Sequence, residues 1–150
     1  FRRWRGAAYS VEQVRDLAAE LAKKVAEERS GVRIVVVLEN IADFADTDAE
    51  RALRTLMQAI NRSDHLLIAD SDTTQLTGGF GLVGALKAGR RGLALRPDTH
   101  DGEALFKMAF PRMNRHEFPP GRAILVDNGQ HEIVQVAHVS DISETSFRAG

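Results

Sequence analysis

Arg33-Ile34-Val35-Val36-Val37-Leu38-Glu39-Asn40 is the stretch whose reading decides the fold. A β-branched run without polar alternation is the mark of a parallel strand buried on both faces, and this one breaks off in a charged residue and an amide. Upstream, Ser10 and Gln13 have the spacing of a capping box, and Val11, Val14, Leu17, Ala18, Leu21 and Val25 recur at three- and four-residue steps. That pattern predicts a helix starting at Ser10 with one apolar stripe, stopped by Ser30-Gly31. Downstream, Thr47 and Glu50 form a second capping-box pattern, and Ala49, Ala52, Leu53, Leu56, Met57 and Ile60 stripe a second helix ending near Asn61-Arg62-Ser63. His65-Leu66-Leu67-Ile68-Ala69 then reads as a second buried strand closing in Asp70-Ser71-Asp72. Helix, strand, helix, strand implies a right-handed β-α-β crossover, so the expected class is α/β with a mainly parallel sheet flanked by helices.

Further along, a glycine-rich turn (Gly78, Gly79, Gly81), a short helix over Leu82 to Lys87 and a strand at Gly92-Leu93-Ala94-Leu95 continue the pattern, and Asp101 to Met108 reads as one more helix. After Pro119-Pro120 the character changes. Arg122 to Val126 and Glu132 to Val139 are strand-like and flank Asn128-Gly129, a residue pair suited to a two-residue type I′ turn, which predicts a C-terminal β-hairpin. The expected organisation is a flexible segment over 1–9, one domain over 10–139, and a fraying tail over 140–150.

Composition excludes several classes. With 150 residues, 43% of them hydrophobic, the chain can bury a core. The absence of cysteine rules out a thiolate metal site and a cysteine nucleophile, and fits a reducing cytoplasmic compartment. No apolar run approaches the ~18 residues of a membrane-spanning helix. The chain opens on Phe1 without a signal-peptide pattern, and is read as a piece of a longer protein. Net charge is −1, so no global field gathers nucleic acid, and any such contact has to be local. The basic clusters at Arg2, Arg3 and Arg5 around Trp4, at Arg90 and Arg91, and at Arg112 and Arg115 read as solvated surface. His65, His100, His116, His131 and His138 lack metal-ligand spacing, so no metal site is expected, and no G-x-S-x-G elbow exists.

Ligand sites of open parallel sheets collect at the carboxyl ends of strands, which directs attention to Glu39-Asn40 and Asp70-Ser71-Asp72. Here the sequence resembles a known family. Val36-Val37-Leu38-Glu39-Asn40-Ile41-Ala42-Asp43-Phe44 is similar, without a gap, to the Walker B strand of FtsK/SpoIIIE motor ATPases: an apolar run, Asp-Glu, then Phe-Ala-Asp-Leu. His65 to Asp72, Gly92 to Asp98 with Asp101-Gly102, Pro119 to Arg122 and Ile133 to Ala137 resemble later family segments in the same order. The tail is closest in feel to actinobacterial members and to the EccC/EssC motors of type VII secretion.

The resemblance implies the C-terminal part of a RecA-like P-loop NTPase domain. Glu39 then stands at the magnesium-associated position, Asn40 at the water-activating glutamate, and Ser71 and Asp72 at the polar sensor. The family uses ATP and Mg, but two departures bear on this chain. The G-x-x-x-x-G-K-[ST] loop is absent, and Gly78-Gly79-Phe80-Gly81 is not followed by the lysine and hydroxyl that meet phosphates and magnesium. Asn40 has no ionisable group, so it orients a water without taking its proton. The expectation is a degenerate, non-hydrolysing module that binds neither ATP nor Mg alone and packs against other subunits, tandem ATPase modules, DNA or a secreted protein. The resemblance implies a cytoplasmic module, with the parent protein anchored at the inner face of the bacterial plasma membrane.

Two alternatives stand beside it. One is part of an active DNA translocase whose phosphate-binding loop lies upstream, with Arg90, Arg91 or Arg112 as arginine fingers. The other is a free-standing small α/β binding domain.

Overall fold

Ser10 opens the first helix as its spacing requires. In the computed structural model, which describes residues 4–28, 30–112 and 118–137, the Ser10 hydroxyl accepts the Gln13 N–H at 3.3 Å. Gln13 Oε1 in turn accepts the Tyr9 N–H at 2.9 Å, one residue further out than a standard capping box reaches. The helix that follows, α1 (Val11–Glu27), buries Val14, Ala18, Ala22 and Val25. It ends in an extended Glu28, and Gly31 takes its positive φ of 79° only in the loop beyond.

The next elements are β1 (Val35–Leu38), α2 (Glu50–Ile60), β2 (Leu66–Ala69) and α3 (Gly81–Lys87), with one-turn 3-10 helices at Ile41–Phe44 and Thr73–Thr77. β1 and β2 pair in parallel, Val35 with Leu66 through Leu38 with Ala69, as the β-α-β reading requires. Leu53, Leu56, Met57 and Ile60 of α2 face the buried stripe of α1. Ile41, Leu82 and Val83 extend the same core. Three expectations are corrected here. Thr47 and Glu50 do not cap α2: the Thr47 hydroxyl donates to Phe44 O at 2.8 Å and Glu50 Oε2 accepts from Asp46 N–H at 2.8 Å, so both close the preceding turn. The two strands are not buried on both faces. Helices cover only the side bearing Val36, Leu38, Leu67 and Ala69, and Val35, Val37, Leu66 and Ile68 remain 44–51% exposed.

The third correction concerns β3 (Gly92–Leu95), which does not extend the parallel sheet. It pairs antiparallel with β4 (Arg122–Asp127), and β4 with β5 (Gln130–Gln135), because the six-residue β4 offers Leu93 and Ala94 the apolar cross-strand neighbours Leu125 and Ile124. The chain is thus mixed α/β in two compact units, Gly6–Gly89 with the parallel pair, and Phe1–Arg5 with Arg90–Gly150 holding the antiparallel sheet. In the second unit Ala94, Phe110, Phe118, Ile124 and Val126 form the core, with Phe106 and Met108 packed on it. The helix expected over Asp101 to Met108 is a single π turn, Gly102–Phe106, closed by Lys107 at φ 58°. Asn128 and Gly129 both have positive φ, 50° and 77°, as a type I′ turn needs. β5 ends at Gln135, short of the expected Val139, and Val139 with the expected tail 140–150 lies outside the described residues. Among the described residues no helix is long and apolar enough to cross a membrane.

Candidate functional site

Parallel pairing of Leu38 with Ala69 brings the two strand ends side by side, and the residues two places further on, Asn40 and Ser71, meet. The Ser71 hydroxyl lies 2.9 Å from Asn40 Oδ1 and 3.1 Å from Gln75 Oε1, donating to one of them at a time. Asn40 is left-handed, φ 48° and ψ 61°, a region asparagine enters more readily than most side chains. That twist turns its N–H onto Asp70 Oδ1 at 2.6 Å. Asp70 also links the strands through its backbone, accepting from Ile41 N–H at 2.9 Å and donating to Leu38 O at 3.2 Å.

Of the four residues picked out from the sequence, the structure therefore joins two. Asn40 and Ser71 touch, while Glu39 is exposed with no hydrogen bond or ion pair among the described residues. Asp72 turns away and caps Thr73–Thr77, accepting from Thr74 N–H at 2.9 Å and from Thr74 Oγ1 at 2.8 Å. The sequence reading placed Asp70 at the strand end without giving it a role, and did not assign Gln75 to the site. Asp70 was visible as a strand-end carboxylate. Gln75 reaches Ser71 only because the Asp72-capped turn folds the chain back, and the Asp72-x-Thr74 pattern was the available signal.

The two Thr74 donors, the backbone N–H first, hold the Asp72 carboxyl below the ordinary aspartate range. A depressed folded-state pKa gives a contribution to stability that is present above the unfolded value and is lost as pH falls through the folded one. Thr74→Val keeps the N–H and removes the hydroxyl, so the Asp72 midpoint, read by carboxyl NMR titration, is expected to rise part of the way back to the ordinary value near ~3.9.

Chemically, the cluster is a chain of neutral hydrogen-bonding groups at a sheet's carboxyl rim with one carboxylate, Asp70, already bonded to backbone. It can orient a polar ligand. No group of three or more His, Asp or Glu side chains suited to a metal occurs among the described residues. The glycine-rich turn is tied down from within: Lys87 Nζ donates to Leu76 O and to Gly78 O, each at 3.0 Å. Phe80 projects from it, 94% exposed. Arg91 pairs with Asp127 at 2.5 Å, and His65 Nδ1 accepts the Ile34 N–H at 3.3 Å. Arg115, His116 and His138 lie outside the described residues. A groove of about 560 Å³ between α1 and α2, floored by Ala19, Ala22, Ala26 and Ala52, contains none of the strand-end residues. No polar group converges there beyond its charged rim, so the strand ends remain the better candidate.

No protein-family model matches the chain, and comparisons with curated proteins and with solved structures find no match either.

Proposed function

We propose that the chain is a degenerate, non-hydrolysing module of an FtsK/SpoIIIE-like motor ATPase, part of a RecA-like domain, which acts by packing against neighbouring subunits or modules. The observation that carries this reading is the Asn40–Ser71 contact at the carboxyl ends of the parallel pair. On this reading residue 40 stands for the family's water-activating glutamate, but it is neutral and its amide oxygen faces the Ser71 hydroxyl. A water placed there has no base on Asn40 to take its proton. On this reading the work is done in the cytoplasm, on DNA or a secreted protein as the motor's cargo, and ATP and Mg are held by other modules.

Isothermal titration of the chain with ATP and Mg is expected to show no saturable binding up to about 1 mM, the weak end of useful affinity. Saturable binding at micromolar ATP would overturn the reading that ATP and Mg are held by other modules. The apolar face of Val35, Val37, Leu66 and Ile68 favours a second reading, in which the sheet belongs to an active translocase domain completed by another segment. There Asn40→Glu in the longer protein would leave its ATPase rate unchanged, whereas a large gain in rate would mean that Asn40 is what disables the site.

A further inference from the structure

We infer that the outer edge of β5 is a homodimerisation site, joining two copies of the chain through antiparallel β5–β5 pairing about a twofold axis at Ile133. Among the described residues β5 is the terminal strand of its sheet, and all its residues except Val134 are exposed. The two-residue turn makes Asp127 and Gln130 a hydrogen-bonded pair. Alternation along an antiparallel ladder then turns the backbone groups of Gln130, Glu132 and Val134 toward β4 and those of His131, Ile133 and Gln135 away. The Val136 N–H donating to Gly121 O at 2.8 Å is the next rung of that alternation. Three N–H and three C=O groups thus line the outer edge without a backbone partner among the described residues.

Sheet edges normally carry something that blocks pairing, and the two edges of this sheet differ in that respect. β3 is four residues long, entered from Arg90 and left through Arg96, both at positive φ, and followed by Pro97. β5 has no proline, no lysine, no positive φ and a single charge, Glu132. Ile133 also points to a continuing core. It stands in register with Ile124 and Ala94 on the face that carries the buried cluster, yet it is 56% exposed.

The pairing geometry selects the occupant and the register. Outward-facing residues must meet outward-facing residues, so a twofold axis has to pass through a residue position. An axis at Glu132 would set two glutamates opposite each other, which is repulsive. An axis at Ile133 sets Glu132 against Val134, His131 against Gln135, and Ile133 against its own counterpart. It also uses all three outward residues of β5, and no like charges meet. The edge is therefore complementary to itself, independently of any nucleotide-related role.

Sedimentation equilibrium of the chain from about 10 µM to about 1 mM, the range expected of a small interface, should show a monomer–dimer equilibrium. Hydrogen exchange of the unaltered chain should show the His131, Ile133 and Gln135 amides gaining protection as concentration rises, with Glu132 and Val134 unchanged. Ile133→Lys should weaken the dimer by about tenfold or more, and so should Ile133→Glu, because each sets like charges face to face. An equimolar mixture of the two variants should recover it. A monomer throughout the range, protection that does not alternate, a dimer indifferent to Ile133→Lys, or a mixture that stays monomeric would each overturn the assignment.

Discussion

Replacing Leu56 by alanine is expected to lower the unfolding free energy of the Gly6–Gly89 unit by about 3 kcal/mol, within the ~2–5 kcal/mol range of buried Leu→Ala changes. Leu56 is 1% exposed at the middle of α2, among Leu53, Met57 and Ile60 on the face that meets α1. Alanine and leucine are both good helix formers, so the loss comes from removed burial and from the cavity left behind. Val14 and Val25, the larger buried residues of α1, are β-branched and stiff, and Ala18 and Ala22 have no side chain to extend, so the space stays open. A small domain is typically stable by only about 5–15 kcal/mol, which makes this a large fraction of the total. Helical circular dichroism in urea reports this unit, since α1, α2 and α3 all belong to it. The midpoint should fall with the slope unchanged. Leu66→Ala is the control: Leu66 is 51% exposed on the open side of the sheet, and its loss should be well under half as large. Equal effects would mean that the open face is covered in solution.

Much of this fold is written in local pattern. Ser10 and Gln13 announce a helix start because the donors they satisfy lie within four residues, and Asn128-Gly129 announces a hairpin because its positive φ values are a property of those two residues. The parallel pairing of Val35–Leu38 with Leu66–Ala69 follows from a helix-length connection. What local pattern could not decide is which partner a strand takes and how many layers cover it. Gly92–Leu95 looks the same whether it joins a parallel or an antiparallel neighbour, and its choice depends on β4, some thirty positions away. The exposed side of β1 escaped notice because valine-rich strands read as doubly buried even when a second covering layer is missing. The π turn at Gly102 is likewise a tertiary effect: a Cβ there would lie 2.6 Å from Met108 O and from the Phe110 ring.

The candidate site divides in the same way. Asn40 and Ser71 were visible because strand ends of parallel sheets are where ligand groups gather, a rule that needs only the strand boundaries. Their contact depends on register, which the sequence does not print. Asp72, chosen for its position after β2, serves instead as a turn cap, and that turn supplies the unanticipated Gln75.

Gly84→Ala should destabilise the chain although it replaces glycine by the best helix former. Within α3 the exchange gains about 1 kcal/mol of helix propensity. Against this, a Cβ at position 84 would run into the carbonyl oxygen of Gly79 and lie 2.8 Å from its carbonyl carbon. Backbone cannot rotate aside as a side-chain tip can, so either α3 or the Gly78–Gly79 turn has to move. The turn is held by Lys87, whose ammonium grips Leu76 O and Gly78 O, and α3 by Leu82 and Val83, both buried. Overpacking of this kind costs about 1–3 kcal/mol, so the net effect should be a loss of up to about 2 kcal/mol, and Gly84→Val, without the propensity gain, should lose more. Gly78→Ala separates close approach from mere presence in a glycine-rich turn. A Cβ there has nothing within 4 Å, and its φ of −62° suits any residue. Thermal unfolding should rank the variants Gly78→Ala, Gly84→Ala, Gly84→Val in falling stability. A gain in stability for Gly84→Ala would mean that helix and turn are not in contact, and that the Lys87 clamp does not hold them together.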